Sequence, residues 1–273
     1  MKIVAALREG ANKTNARTEA IINALELHGH PVQRIGRHEA PQNADLLIQT
    51  GFAPSNALKG QIDANMPYLI MEASPFRELD VHTHSSWGYN GLANGAYRPQ
   101  APDQPRWHPT LQELPEDASG TLIIGQKPTD HSLRGTDHVQ WILDAKVHHP
   151  TADFRPHPLM VVHGTLRPIG EVLREYKHVI TFTSTVGVDA MVAGCQVHAK
   201  HHGSFAYDID SRERRAHDLS WVHSSHSEFY DLIPHILSGY DEARSRAECG
   251  DIERPRGRVD GQAICERYYR AGL

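Results

Sequence analysis

The sequence has no long apolar run. Nothing in it approaches the roughly 20 residues that a bilayer span needs, and the apolar stretch behind Lys2 is only a few residues long. That stretch reads as a first β-strand and not as a secretory signal, and no membrane span is expected. Cysteine is scarce. Cys195, Cys249 and Cys265 are too few and too scattered for a paired framework, and Cys195 stands in an apolar setting that suits a buried thiol. The expected compartment is the cytoplasm, or the host cytoplasm if the chain is viral. Charge of one sign is lacking too. The formal net charge is −5 with its 20 histidines neutral, so the total does not mark a nucleic-acid binder. A local basic face is compatible with that total, and the candidates are "RERR" at 212–215 and "RPRGR" at 254–258.

The 273 residues have an ordinary globular composition, 39% hydrophobic and 22% charged, and are enough for two domains. Strand-like and helix-like pieces alternate. "KIVAAL", "PVQRI", "ADLLIQTG" and "PYLIMEA" read as strands, with helices over 15–28 and a short one at "NALKGQIDA". This is the βαβ rhythm of parallel strands with crossover helices. Residues 97–120 carry five prolines and no periodicity, so they read as a linker or crossing segment. The rhythm restarts at "TLIIG". A helix capped by Thr136, a short strand near 153, a helix over 166–176, the strand "HVITFT", the helix "VGVDAMVAG" and the strand "CQVHA" follow. Helices are expected over 217–239 and 260–270. The expected fold is α/β, two Rossmann-like domains facing a cleft. The expected boundaries are 1–118, 119–240 and a C-terminal helical tail, 241–273, packed back on the first domain.

Ligands of open α/β sheets lie beyond the C-terminal ends of the strands, and the chemically interesting residues fall there. In "HVITFTSTVGVDAMVAGCQVHA", Ser184 and Thr185 stand where a strand passes into a helix, a place suited to an anion. Gly187 would let a phosphate approach, and Asp189, four residues after Thr185, would accept from a diol. In "FRPHP", Arg155 offers a fork to a phosphate and His157 a compact donor between two prolines. In "IIGQKPTDHS", a strand ends before Gln126, Lys127 and Asp130. Lys127 would help a leaving phosphate, and Asp130 would serve as base or hold a hydroxyl.

As a set, "LIIGQKPTDHS", "FRPHP", "TFTSTVGVDAMVAGCQVH" and "RRAHDLSWVHSSHSEFYDLIPHILSG" resemble the C-terminal half of glycosyltransferases related to capsular polysaccharide synthesis, and of some bacteriophage glycosyltransferases. The resemblance implies the two-domain GT-B fold and a nucleotide-activated sugar as donor. It implies that His157, Ser184 and Thr185 face the donor's phosphate and nucleotide. Where that family usually has Glu, this chain has Asp189, one methylene shorter. In the first half, "LIMEASPFRELD" and "SSWGYNGLANGAY" are similar to a segment of the bacteriophage members. Glu72 is then the acid at the strand end and the expected base for an acceptor hydroxyl. Trp87, Tyr89 and Asn90 suggest a surface for a sugar or base ring.

The expectation is therefore a metal-independent glycosyltransferase with Glu72 and Asp130 as catalytic acids. Its donor site would be Gln126, Lys127, Arg155, His157, Ser184, Thr185, Gly187 and Asp189. Its cofactor list is empty beyond the donor itself, because no D-x-D run precedes a nucleotide site. The acceptor would be a hydroxymethylated pyrimidine in DNA or a saccharide. Three alternatives are a nucleotide-sugar epimerase, a non-catalytic nucleotide- or DNA-binding protein, and a metal-dependent hydrolase. The last would use "DVHTH", with Asp80, His82 and His84.

Overall fold

The computed structural model describes residues 1–10, 12–41, 43–77, 79, 83–100, 108–161, 164–209, 211–221, 223–255, 266–268 and 270–272. The chain divides into two compact units, Met1–Trp107 with Asp218–Pro255 and His108–His217 with Arg256–Leu273.

The first unit is built on β1 (Ile3–Leu7), α1 (Asn12–Leu27), β2 (Val32–Gly36), β3 (Leu46–Thr50), α2 (Asn56–Asp63), β4 (Tyr68–Ala73) and β5 (His84–Tyr89). Its sheet has six strands in the order β10-β5-β4-β3-β1-β2, with β10 at His223–Ser225. The pairs β1–β2, β1–β3 and β3–β4 are parallel, as the βαβ rhythm predicts. β1, β3 and β4 read as largely apolar runs because helices cover both faces of a parallel sheet, whereas the edge strand β2 exposes Gln33 and Arg34. Accordingly Ile3 to Ala6, Leu46 to Ile48 and Tyr68 to Met71 are all buried.

β5 and β10 are antiparallel additions, and they were not foreseen. Nor was the break in the expected 217–239 helix. That segment is α6 (Arg212–Trp221), then β10, then α7 (Phe229–Ser238). The break lies at "SHSE", where a capping box starts a new helical turn: the Ser225 N–H donates to Glu228 Oε2 at 2.7 Å.

α7 buries Phe229, Leu232, Ile233 and Ile236, the spacing of one helical face. Each such side chain contributes about 1.5–3 kcal/mol of transfer free energy. Pro234 inside α7 has no N–H for the Tyr230 carbonyl one turn earlier. His28, just past α1, fills the gap by donating Nε2–H to that carbonyl at 2.7 Å. α8 (Tyr240–Glu248) follows, also in the first unit.

Asn90 clamps the end of β5, in the left-handed conformation at φ 57°. Its Oδ1 accepts the Tyr68 N–H at 3.2 Å and its Nδ2 donates to the Ala243 carbonyl of α8 at 2.6 Å. The Tyr68 hydroxyl donates to the Glu253 carbonyl at 2.6 Å. Residues 240–255 are thus fastened to the first unit.

The second unit has a four-stranded sheet in the order β7-β6-β8-β9, all parallel. Its elements are β6 (Thr121–Ile124), α3 (His138–His148), β7 (Asp153–Arg155), α4 (Ile169–Leu173), β8 (His178–Thr181), α5 (Val186–Val192) and β9 (Gln196–Ala199). Asp137, and not Thr136, caps α3, because its carboxylate accepts the Gln140 N–H at 3.2 Å. Of the expected 260–270 helix, residues 266–268 and 270 are helical. Tyr268 is buried against Val139 and Ile142, and Arg267 pairs with Asp137 at 2.8 Å. The C-terminal region therefore contributes to both units: 240–255 to the first and 266–272 to the second. The expected boundaries at 118/119 and 240/241 differ from the division by contacts, because α7 and α8 bury their apolar faces in the first unit. Among the described residues, no helix is long and apolar enough to cross a membrane.

Candidate functional site

Two Rossmann-like α/β units are the makeup expected of the GT-B architecture, and in each unit polar side chains stand at or just beyond the C-terminal ends of the parallel strands. In the second unit the pairing sets Ile124 level with both Arg155 and Thr181. The loops after β6, β7 and β8 therefore leave the sheet together.

Gly125 follows β6. A Cβ there would lie 3.1 Å from the Phe154 ring and 3.2 Å from the Tyr268 hydroxyl, so a side chain has little room. Gln126 comes next and is only 4% exposed. Its Oε1 accepts the Thr183 N–H at 2.7 Å, and its Nε2 donates to Thr183 Oγ1 at 2.9 Å and Ser132 Oγ at 3.1 Å. The Gln126 N–H in turn donates to His138 Nε2 at 2.8 Å. His138 is 2% exposed, and burial pushes its pKa down to about 4, with Asp130 and Asp137 opposing more weakly. It is a neutral acceptor at neutral pH, with its proton on Nδ1. This network ties the loop after β6 to the loop after β8, and both atoms of the Gln126 side-chain amide are engaged with protein.

Asp130 caps the turn His131–Leu133, accepting the Ser132 N–H at 2.8 Å. Lys127 is exposed. Past β8, Ser184 is half-buried and its Oγ accepts the Val186 N–H at 3.2 Å, while Thr185 is exposed at the start of α5. A Cβ on Gly187 would lie 2.8 Å from Ala206 Cβ and 3.2 Å from Thr181 Cγ2. The clearance that this glycine provides is filled by the protein itself and seats α5 closely. Asp189 is half-buried in the first turn of α5.

Arg155 ends β7, which flanks β6 on the side away from β8, and His157 lies two residues beyond it, capping the turn Pro158–Met160. Arg155 Nη2 donates to the Arg167 carbonyl at 2.6 Å. His157 Nδ1 accepts the Leu159 N–H at 3.1 Å, which leaves the ring proton on Nε2 in the neutral form.

Sequence reasoning passed over three contributors to this edge. Thr183, the first residue of "TST", is the one that bonds Gln126. Arg134, in the left-handed conformation at φ 48°, lies so closely on Gly203 that any Cβ there would overlap its guanidinium. His201 and His202, beyond β9, have stacked rings with centroids 4.3 Å apart. Burial, then the charges of Arg134 and His202, hold the His201 pKa down to about 4. The HH pair at 201–202 was a visible signal, but one of several in a histidine-rich chain.

In the first unit, Glu72 is half-buried at the end of β4, and its Oε1 accepts the Phe52 N–H at 3.2 Å. The expected ring surface beside it is not there. Trp87 is 1% exposed and Tyr89 0%. β5 lies between β4 and β10, so both side chains are core. The Tyr89 hydroxyl donates to the Ile236 carbonyl at 2.9 Å, and Asn90 is the clamp described above. Of "DVHTH", Asp80 and His82 lie outside the described residues. His84 begins β5. Among the described residues, no group of three or more His, Cys, Asp or Glu is placed to hold a metal ion.

No protein-family model matches the chain, and no curated protein matches it. Solved structures with a similar fold exist. One is the beta Kdo 2,7 transferase of Thermosulfurimonas dismutans KpsC, at 11% identity and a TM-score of 0.50, covering 86% of this chain and 99% of that one. Another is the beta Kdo 2,4 transferase of the same KpsC, at 13% identity and a TM-score of 0.44, covering 72% and 79%. At 11% identity the first of these likenesses is one of fold alone.

Proposed function

We propose that the chain is a glycosyltransferase that moves a sugar from a nucleotide-activated donor to an acceptor hydroxyl. The observation that carries this reading is the Gln126–Thr183–Ser132 network. It holds the loops after β6 and β8 rigid at the C-terminal edge of a parallel sheet, the edge where such folds take nucleotides.

Arg155, His157, Ser184 and Thr185 would hold the donor's phosphates, with Lys127 neutralising charge on the leaving phosphate. Asp189 would accept from donor hydroxyls. Gln126 and Gly187 would act by position, the first through its loop bridge and the second through the close seat of α5. Glu72 would take the proton from the acceptor hydroxyl as its oxygen attacks the sugar's anomeric carbon. The bond from that carbon to the phosphate oxygen breaks, and the nucleotide leaves with the electron pair. No metal is assigned a step. The acceptor hydroxyl belongs to a saccharide or to a hydroxymethylated pyrimidine in DNA.

A thermal-shift screen of nucleotides and nucleotide sugars tests the donor site, since a ligand at 100 times its Kd stabilises by about 2.7 kcal/mol. Stabilisation by one nucleotide class is expected, and no response to any of them would refute the reading. With the donor found, Glu72→Gln is expected to keep binding and lose transfer by at least 100-fold, in chelator as well as without it. Asp130→Asn tests the second acid in the same way. Full transfer by both variants would refute the assignment.

A further inference from the structure

Two exposed aromatic rings stand beyond the C-terminal end of β9, on a segment that is otherwise buried. His202 and Tyr207 are exposed, while Gly203, Ser204, Phe205 and Ala206 between them are all buried. The segment is held at several points. Beyond β9 the chain stays beside the chain beyond β8: the N–H groups of Lys200 and His201 donate to the carbonyls of Thr181 and Phe182 at 2.9 and 3.3 Å. The Arg134 guanidinium lies against Gly203, and Ala206 fills the space that Gly187 leaves. Arg215 donates to the carbonyls of Tyr207 and Asp208.

The rings are ordered as well. His202 stacks on His201, with centroids 4.3 Å apart and planes at 28°. His201 leans in turn on Phe182, 5.2 Å away and itself buried. Tyr207 stands at 86° to His202, with centroids 6.5 Å apart. His201 Nδ1 accepts the Gly203 N–H at 3.0 Å, which fixes that ring. Burial first, then Arg134 and His202, keep it uncharged at neutral pH. A ring backed by a buried stack, with a second ring nearly perpendicular to it, makes a corner. A flat ring fits such a corner by stacking on one wall and meeting the other at its edge.

The corner adjoins the loops already given to the donor. Arg134 Nη1 donates to the Ser132 carbonyl at 3.1 Å, and the same carbonyl accepts Thr183 Oγ1 at 3.2 Å. Gly187, which seats Ala206, lies two residues past Thr185. Residues 203–206 therefore touch the turn after β6 through Arg134 and the segment after β8 through Gly187. A nucleotide carries its base one sugar away from its first phosphate. Aromatic side chains hold bases by stacking, because every base has a π-face.

We propose that His202 and Tyr207, backed by His201, seat the base of the donor nucleotide, His202 under its face and Tyr207 at its edge. This rests on the transferase reading above, and it adds the part of the donor that residues facing phosphate do not recognise.

Calorimetry on the full chain with CMP, UMP, TMP, AMP, GMP and ribose 5-phosphate tests it. At least one nucleotide is expected to bind at least about tenfold more tightly than ribose 5-phosphate, which keeps the phosphate and lacks the base. For that nucleotide, His202→Ala is expected to weaken binding at least about fivefold, the lower end of what stacking on one ring supplies. His202→Phe keeps a ring and is expected to restore it. Tyr207→Ala is expected to weaken binding at least about twofold. Both side chains are exposed, so the Tm of each alanine variant should stay within about 3 °C of the parent. A larger fall would give these rings a packing role and overturn the proposal. Unchanged nucleotide affinity in both alanine variants, or a loss in His202→Ala that His202→Phe does not restore, overturns it and leaves the transferase reading standing. If no nucleotide binds more tightly than ribose 5-phosphate, no base is seated and the proposal falls. If nucleotide sugars fail to bind as well, the transferase reading falls with it.

Discussion

Acidification should loosen the second unit through His138. Its pKa falls from the usual 6.5 to about 4 because it is buried, while the unfolded chain restores the ordinary value. Between those two pH values the unfolded state binds more protons, so stability rises with pH across that window and is fully present above it. Multiplying the drop of about 2.5 by about 1.36 kcal/mol per pH unit gives about 3 kcal/mol in all, and about 2 kcal/mol between pH 6.5 and 5. The structural cause is specific. Protonation would put an N–H where His138 Nε2 now accepts the Gln126 N–H at 2.8 Å. The ring is also stacked on Trp141, with centroids 5.2 Å apart, so tryptophan fluorescence reports on it. Urea unfolding should be compared between the parent and His138→Gln at pH 7, 6 and 5, because Gln keeps an acceptor and does not titrate. The parent should lose about 2 kcal/mol relative to the variant by pH 5. A difference that stays flat within about 0.5 kcal/mol would refute the reasoning, as would an imidazole that titrates near 6.5 by NMR.

Gly187→Ala should destabilise the second unit by about 1–3 kcal/mol through overpacking against Ala206, and unchanged chemical denaturation would show that the contact yields freely. His28→Ala should cost about 0.5–1.5 kcal/mol by stranding the Tyr230 carbonyl. That cost should shrink in a Pro234→Ala background, where α7 regains its own donor, and a double-mutant cycle with no coupling would reject the account. In a Cys265→Ser background, Cys249 should react with a thiol reagent well before Cys195. The Cys195 thiol is buried, pushed up to about 11, and donates to the Leu173 carbonyl at 3.3 Å. Equal labelling rates in the native protein would contradict that burial.

Much of the fold was legible because parallel strands under helices are written as local apolar runs. "KIVAAL", "ADLLIQTG", "PYLIMEA", "TLIIG" and "HVITFT" all became strands at or within a residue or two of those segments. β5 was not legible. "HSSWGY" has neither alternation nor a continuous apolar run, and it is a strand because β4 and β10 hydrogen-bond it from both sides. For the same reason Trp87 and Tyr89 looked available in the sequence and are core in the fold. The "SHSE" capping box was visible at 225–228, and it outweighed the helical periodicity that runs across it.

The sequence by itself determined the two α/β units and the strand ends where polar residues collect, because periodicity and turn chemistry are local properties. Only the tertiary structure decided what those polar residues do. Gln126 reads as a ligand-facing residue beside Lys127, yet its amide is consumed by Thr183, 57 positions away. Gly187 reads as room for a phosphate, yet Ala206 occupies the room. Arg8 and Arg37, far apart in sequence, follow neighbouring strands because β1 and β2 pair in parallel with Leu7 level with Gly36, and no local pattern encodes that pairing.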